Sequence, residues 1–96
     1  DKIPEIIEKS GSKYHVKTLS DIEFLKKLEE KLNEEVAEYQ SDKNPEELAD
    51  ILEVINRIAE LKGISKEKLD QIRIKKSEKK GGFKDNIFLI DIIKSE

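Results

Sequence analysis

The chain has 96 residues, of which 43% are charged and 35% are hydrophobic, and its formal net charge is −3. The acidic balance argues against a nucleic-acid polymer as the main ligand, because such a ligand needs a basic stripe, and the absence of cysteine excludes disulfides and thiol chemistry. At this length and polarity we expect a single domain, residues 1–96, with a thin core and a partner subunit that covers its leftover apolar faces.

The sequence also bears on cellular location. It shows no signal peptide and no apolar run long enough for a membrane span, so we expect a cytoplasmic protein without membrane contact. It begins at Asp1 rather than at a methionine, and we expect that residues are missing before it.

A short helix is predicted at the start of the chain. Pro4 suits its first turn, the helix runs through Ile6 and Ile7, and the stretch SGS at residues 10–12 ends it. The connector KYHVKTL follows and contains His15, the only histidine, to which we assign no role.

Two long helices come next. Ser20 and Glu23 form a capping-box pattern, which predicts a helix from Asp21 to about residue 39 or 40. After the polar loop SDKN, Asn44 is the expected N-cap and Pro45 the first residue of a helix that ends near Gly63.

A third long helix begins after Ser65 and ends at the Gly81-Gly82 pair, which lacks the strand and the Ser/Thr of a P-loop. We expect the tail NIFLIDII, residues 86–93, to be a strand or an extended segment. The predicted fold class is therefore all-α: a small bundle of long antiparallel helices, with a short extended C-terminal segment, that forms an oligomer.

Residues 33–50 contain seven acids and one lysine, and some of these acids lie on the apolar side of their helix. In the first long helix, at about 100° per residue from Leu28, the apolar residues span an arc of about −40° to +80°. Glu35 falls within this arc at about −20°, and Glu38 lies on its border at about −80°. A purely solvent-exposed charged face does not explain this pattern.

The second long helix repeats the anomaly. Counted from Leu48, its apolar arc spans about −140° to +40°, wide enough for two neighbours, and Glu47 lies inside it at about −100°. Asp50 lies on the edge of the arc at about −160°. If the two helices pack antiparallel, the pairs Glu35/Glu38 and Glu47/Asp50 face each other and share one partly buried pocket.

Four crowded carboxylates repel each other, and a hard divalent cation relieves that repulsion. Oxygen-only ligands suit Mg²⁺ or Mn²⁺, so we predict a metal site. Two simpler explanations remain open: Glu47 completes a capping box with Asn44, and Glu35 and Glu38 pair with Lys31.

The late lysines offer a second candidate. Four lysines precede the end of the third long helix: Lys75, Lys76, Lys79 and Lys80. Their positive charge either complements the dipole at the helix C-terminus or binds phosphates. Lys76 and Lys79, one turn apart, are the better candidates for phosphate binding.

The stretches KLNEEVAEY and NPEELADILEVI, between Lys31 and Ile55, resemble the all-α nucleotide pyrophosphohydrolases of the MazG-like and phosphoribosyl-ATP pyrophosphohydrolase superfamily. The signature of that superfamily is ExxE followed by ExxD, and the four places are filled here by Glu35, Glu38, Glu47 and Asp50. The opening DKIPEII and the late KKSEKKGGF are similar to a branch of small proteins with phosphoribosyl-ATP pyrophosphohydrolase-like or MazG-related names.

The resemblance implies a helical, oligomeric Mg²⁺ enzyme, a dimer or tetramer, that cleaves a nucleoside triphosphate between its α and β phosphates. Glu35, Glu38, Glu47 and Asp50 would then hold the metal, and Glu34 or Glu38 would orient or deprotonate the water. Lys31, Lys76 and Lys79 are the expected substrate-binding residues. The region after Asp50 reads ILEVI, without the Tyr-His of the histidine-pathway enzymes, so the substrate base and sugar stay open. The alternative function is a non-catalytic helical dimer that binds a basic protein through its acidic cluster.

Overall fold

The computed structural model describes residues 2–11, 13 and 15–94, and every regular element in that range is a helix. The elements are α1 (Ile3–Lys9), α2 (Asp21–Asp42), α3 (Pro45–Leu61) and α4 (Lys66–Lys80). The all-α class is thus confirmed. Ser12, in the predicted stop of the first helix, lies outside the described residues, whereas Gly11 adopts a positive φ of +80° directly after α1.

The predicted start of α2 is confirmed by its hydrogen bonds. The backbone N–H of Glu23 donates to Ser20 Oγ over 3.2 Å, and the backbone N–H of Ser20 donates to Glu23 Oε1 over 3.4 Å. This reciprocal arrangement satisfies two amides that the first helical turn would otherwise leave unpaired.

The link between α2 and α3 is shorter than predicted. Helix α2 continues through Asp42 and ends when Lys43 turns into the left-handed region at φ 56°, where its N–H donates to the carbonyl of Tyr39 over 2.7 Å. Only Lys43 and Asn44 then separate the two helices. Ser41 and Asp42, which we expected in a polar loop, are therefore helical.

Helices α2 and α3 make the principal contact of the molecule, and α4 contacts α3 over a shorter stretch. The chain is elongated, with extents of 66 × 32 × 24 Å. Among the described residues, only Val54, Ala59 and Glu35 are buried. A fold with so small a core nevertheless buries one carboxylate.

The C-terminal segment after α4 lacks regular secondary structure as far as residue 94, and its apolar side chains are exposed. The strand that we allowed for at residues 86–93 does not form, because the described part of the chain offers no second strand to pair with. None of the described helices is both long and apolar enough to cross a bilayer.

Candidate metal centre

Three carboxylates from two helices meet where α2 packs on α3. Glu35 from α2 and Glu47 and Asp50 from α3 each offer one oxygen, and these oxygens lie within 4.8 Å of one another. We call these residues the carboxylate cluster. In sequence they are separated by up to fifteen positions, so only the packing of the two helices brings them together.

Glu35 is the most unusual member of the cluster. It is only 6% exposed, and its Oε1 lies 3.2 Å from Lys31 Nζ. Its Oε2 is buried and has no hydrogen-bond partner among the described residues. The Lys31 pairing therefore satisfies half of this carboxylate and leaves the other half available to a ligand.

Glu47 is partly buried, and its Oε2 also lacks a partner in the described part of the chain. The capping-box explanation does not account for it, because the Asn44 side chain accepts from the N–H of Glu46, over 3.0 Å, and not from that of Glu47. Helix α3 is capped without the Glu47 carboxylate, which faces α2 instead.

The surroundings of Glu47 disfavour its charged form. Burial raises the pKa of Glu47, and the facing Glu38 raises it further, both through its charge and by accepting a hydrogen bond from the protonated carboxyl. Asp50 and Asp42 add smaller contributions of the same sign. Glu38 is therefore close enough to act on the cluster from its exposed edge.

Lys31 and Glu34 lie beside the cluster on α2. Lys31 Nζ is 3.6 Å from Glu34 Oε2, in addition to its contact with Glu35. The hydrogen bond to Glu35 raises the pKa of Lys31 most, with further contributions from the charges of Glu35 and Glu34 that outweigh its desolvation. Lys31 thus stays cationic next to the carboxylates, and Glu34, which directly precedes Glu35, remains exposed.

Lys76 and Lys79 lie on α4, which buries none of its residues. Neither lysine forms an ion pair with a described residue, and Lys79 belongs to the last helical turn, where a cation complements the helix dipole. Their proposed contact with phosphates stays a prediction.

Sequence reasoning missed two contributors. Asp42 raises the pKa of Glu47 and is helical because α2 continues two residues into the polar SDKN stretch. Arg57, together with the exposed ring of Phe24, borders a groove beside the cluster. The helical phase placed Phe24 on the apolar face of α2, but no sequence signal showed that it lines an open groove.

The donor set fits a hard divalent cation. All the groups are carboxylates, and both Glu35 and Glu47 keep one buried oxygen without a hydrogen-bond partner among the described residues. Lys31 contacts the cluster through Glu35 and offsets only part of its negative charge. No family model, curated protein or solved structure matches this chain.

Proposed function

We propose that this chain is a Mg²⁺-dependent nucleoside triphosphate pyrophosphohydrolase that cleaves between the α and β phosphates to give a nucleoside monophosphate and pyrophosphate. The proposal rests mainly on Glu35, whose buried Oε2 has no hydrogen-bond partner among the described residues and whose carboxylate offers an oxygen within 4.8 Å of oxygens of Glu47 and Asp50. A buried carboxylate oxygen without a partner is costly, and it persists where a ligand compensates for it.

Glu35, Glu47 and Asp50 would hold the metal, with Glu38 completing the set from the exposed edge. When bound, Mg²⁺ supplies positive charge that neutralises phosphate oxygens and favours a reactive water; Mn²⁺ would serve the same purpose. The carboxylates fix the position of that charge because both helices are held by their mutual packing.

The chain's own residues then handle the water and the phosphates. Glu38 or Glu34, both exposed, orients the water and accepts its proton as the water oxygen attacks the α phosphorus. The bond from the α phosphorus to the oxygen that bridges the α and β phosphates breaks, and pyrophosphate leaves. Lys31 is placed to bind a phosphate oxygen, since its ammonium already lies between two acids at the site, and Lys76 and Lys79 are proposed to reach the same substrate.

We further propose that α2 and α3 form an antiparallel hairpin within a cytoplasmic homo-oligomer. The contacts between the two helices favour the antiparallel direction. Glu35, late in α2, lies near Glu47 and Asp50, early in α3, whereas Phe24 and Leu28, early in α2, line a groove with Arg57, late in α3. Leu48 and Leu52 remain about half exposed on α3, and a second subunit would cover them.

The test is pyrophosphate release from a panel of canonical and modified NTPs and dNTPs, with Mg²⁺ or with EDTA. We expect Mg²⁺-dependent release from at least one nucleotide, and loss of release in Glu35→Gln but not in Glu46→Gln, an exposed acid on α3. A panel without any turnover would favour the alternative, an acidic helical module that binds a basic protein.

A further inference from the structure

A groove runs between α2 and α3 beside the carboxylate cluster, bordered by the start of α1. Its volume is about 540 Å³, and its floor is apolar, formed by Ile3, Phe24, Leu28 and Val54. Phe24 remains 37% exposed although it lies on the side of α2 that faces α3. A partly exposed aromatic ring within an apolar floor suits a planar, uncharged ring as ligand.

Cations surround this floor. Lys27, Lys31 and Arg57 line the groove, against one acid, Glu53. Lys27 and Arg57 pair with Glu30 and Glu60, their neighbours three residues along the same helix, and neither acid lines the groove. Because such exposed pairs contribute little to stability, both cations can turn toward an incoming polar ligand at small cost.

Lys31 connects the groove to the carboxylate cluster, since it lines the groove and contacts Glu35. Along α2, Leu28 and Phe24 precede Glu35 by seven and eleven residues, which corresponds to about 10 and 16 Å along the helix axis. A ligand with its phosphates at the cluster therefore meets Lys31 first and the apolar floor beyond it.

We propose that this groove binds the nucleoside part of the substrate, with the base against Phe24 and the sugar toward Lys31. This inference rests on the proposed function and deepens it, because it places the choice of base in the groove rather than at the carboxylates. Arg57 and Lys27, at the rim, contact the polar edge of the base and the sugar hydroxyls.

The experiment measures binding by calorimetry, in Mg²⁺, to the full chain. The probes are the non-hydrolysable α,β-methylene triphosphates of adenosine, guanosine, cytidine and uridine, together with inorganic tripolyphosphate, which has no nucleoside. Phe24→Ala should weaken the tightest nucleoside analogue about 10-fold, the size expected for loss of a base-stacking ring, and leave tripolyphosphate unchanged. The control Ile22→Ala removes an exposed apolar side chain that does not line the groove, and it should change neither affinity.

Arg57→Gln is the second variant, because its exposed side chain can be shortened without disturbing the floor. It should weaken the analogue and spare tripolyphosphate, which supports the proposal even if Phe24→Ala fails to fold. Wild-type affinity for the analogue in both variants would show that the nucleoside lies elsewhere, with the proposed function intact. Equal losses for the analogue and tripolyphosphate would assign the groove to phosphates and overturn the inference. A wild-type protein that binds none of the probes in Mg²⁺ would overturn both the inference and the proposed function.

Discussion

Glu35 on α2 and Glu47 on α3 offer oxygens within 4.8 Å of each other, and each carboxylate keeps one buried oxygen without a hydrogen-bond partner in the described structure. Two acids in this relationship repel each other and lose hydration at the same time. Their position is therefore unfavourable for the metal-free protein and favourable for a bound divalent cation.

The first prediction concerns Glu35→Gln. Removing this buried charge should leave the melting temperature of the metal-free protein equal or higher, because the lost pairing with the half-exposed Lys31 contributes at most about 1 kcal/mol. The same change removes a ligand, so turnover should fall by orders of magnitude and the Mg²⁺-induced rise in Tm should shrink. Melting curves with EDTA and with millimolar Mg²⁺, plus a pyrophosphate assay, measure both effects. If Mg²⁺ does not change the Tm of the wild-type protein, the proposed metal site is wrong.

The second prediction is a pH dependence set by Glu47, whose pKa is raised from 4.5 by burial and by Glu38. Between 4.5 and the raised value, the folded state binds a proton that the unfolded state has released, so stability falls as pH rises through this window. Metal-free Glu47→Gln lacks this loss. Its stability relative to wild type should therefore increase as the pH rises above 4.5, as measured by denaturant unfolding in EDTA.

The control for this pH profile is Glu46→Gln, which changes an exposed acid at the adjacent position of α3. It should follow wild type across the range. If the stability of Glu47→Gln changes with pH in parallel with that of wild type, the pKa of Glu47 is the same in the folded and unfolded states, and the prediction is wrong.

The third prediction separates two roles of Lys31. In Lys31→Ala the cluster loses its neighbouring cation, so Mg²⁺ should bind more tightly to the free protein, while KM for the nucleotide should rise if Lys31 also holds a phosphate. Mg²⁺ titration monitored by Tm and steady-state kinetics measure the two effects separately. The matched control is Lys26→Ala, which removes an exposed lysine of α2 that does not line the groove. If Lys31→Ala binds Mg²⁺ more tightly but keeps the wild-type KM, Lys31 only pairs with Glu35 and Glu34 and does not bind the substrate.

The fourth prediction addresses the lysines of α4. If Lys76 or Lys79 binds ground-state phosphates, replacing it by alanine should raise KM for the nucleotide more than it lowers kcat. Lys75→Ala, on the same helix, serves for comparison. Unchanged kinetics in both variants would assign these lysines to the helix C-terminus alone.

The fifth prediction concerns assembly. Leu48 and Leu52 lie one turn apart on α3 and remain about half exposed, so we expect light scattering to give a homo-oligomer at micromolar concentration. Leu52→Glu should shift the mass toward the monomer, whereas Ile22→Glu, on α2, should not. A monomeric wild type would contradict the expectation.

Local sequence signals determined the helices of this protein because they act within a few residues. The Ser20 and Glu23 pair sets the start of α2, and Asn44 with Pro45 sets the start of α3, as hydrogen bonds to the first turns show. Helical phase likewise placed Glu35 and Glu47 on apolar sides, since phase depends only on the spacing of residues along one helix.

Tertiary structure alone decided what those carboxylates face. Phase does not fix the register between two helices. Here α2 ends only after Asp42, at a left-handed turn of Lys43 for which the sequence carries no glycine, and Glu38 and Asp42 both raise the pKa of Glu47. The same packing leaves Glu35 with one paired and one unpartnered oxygen, and it opens the groove at Phe24 and Arg57. Distances across a helix pair depend on contacts between residues far apart in sequence, and a local pattern does not encode them.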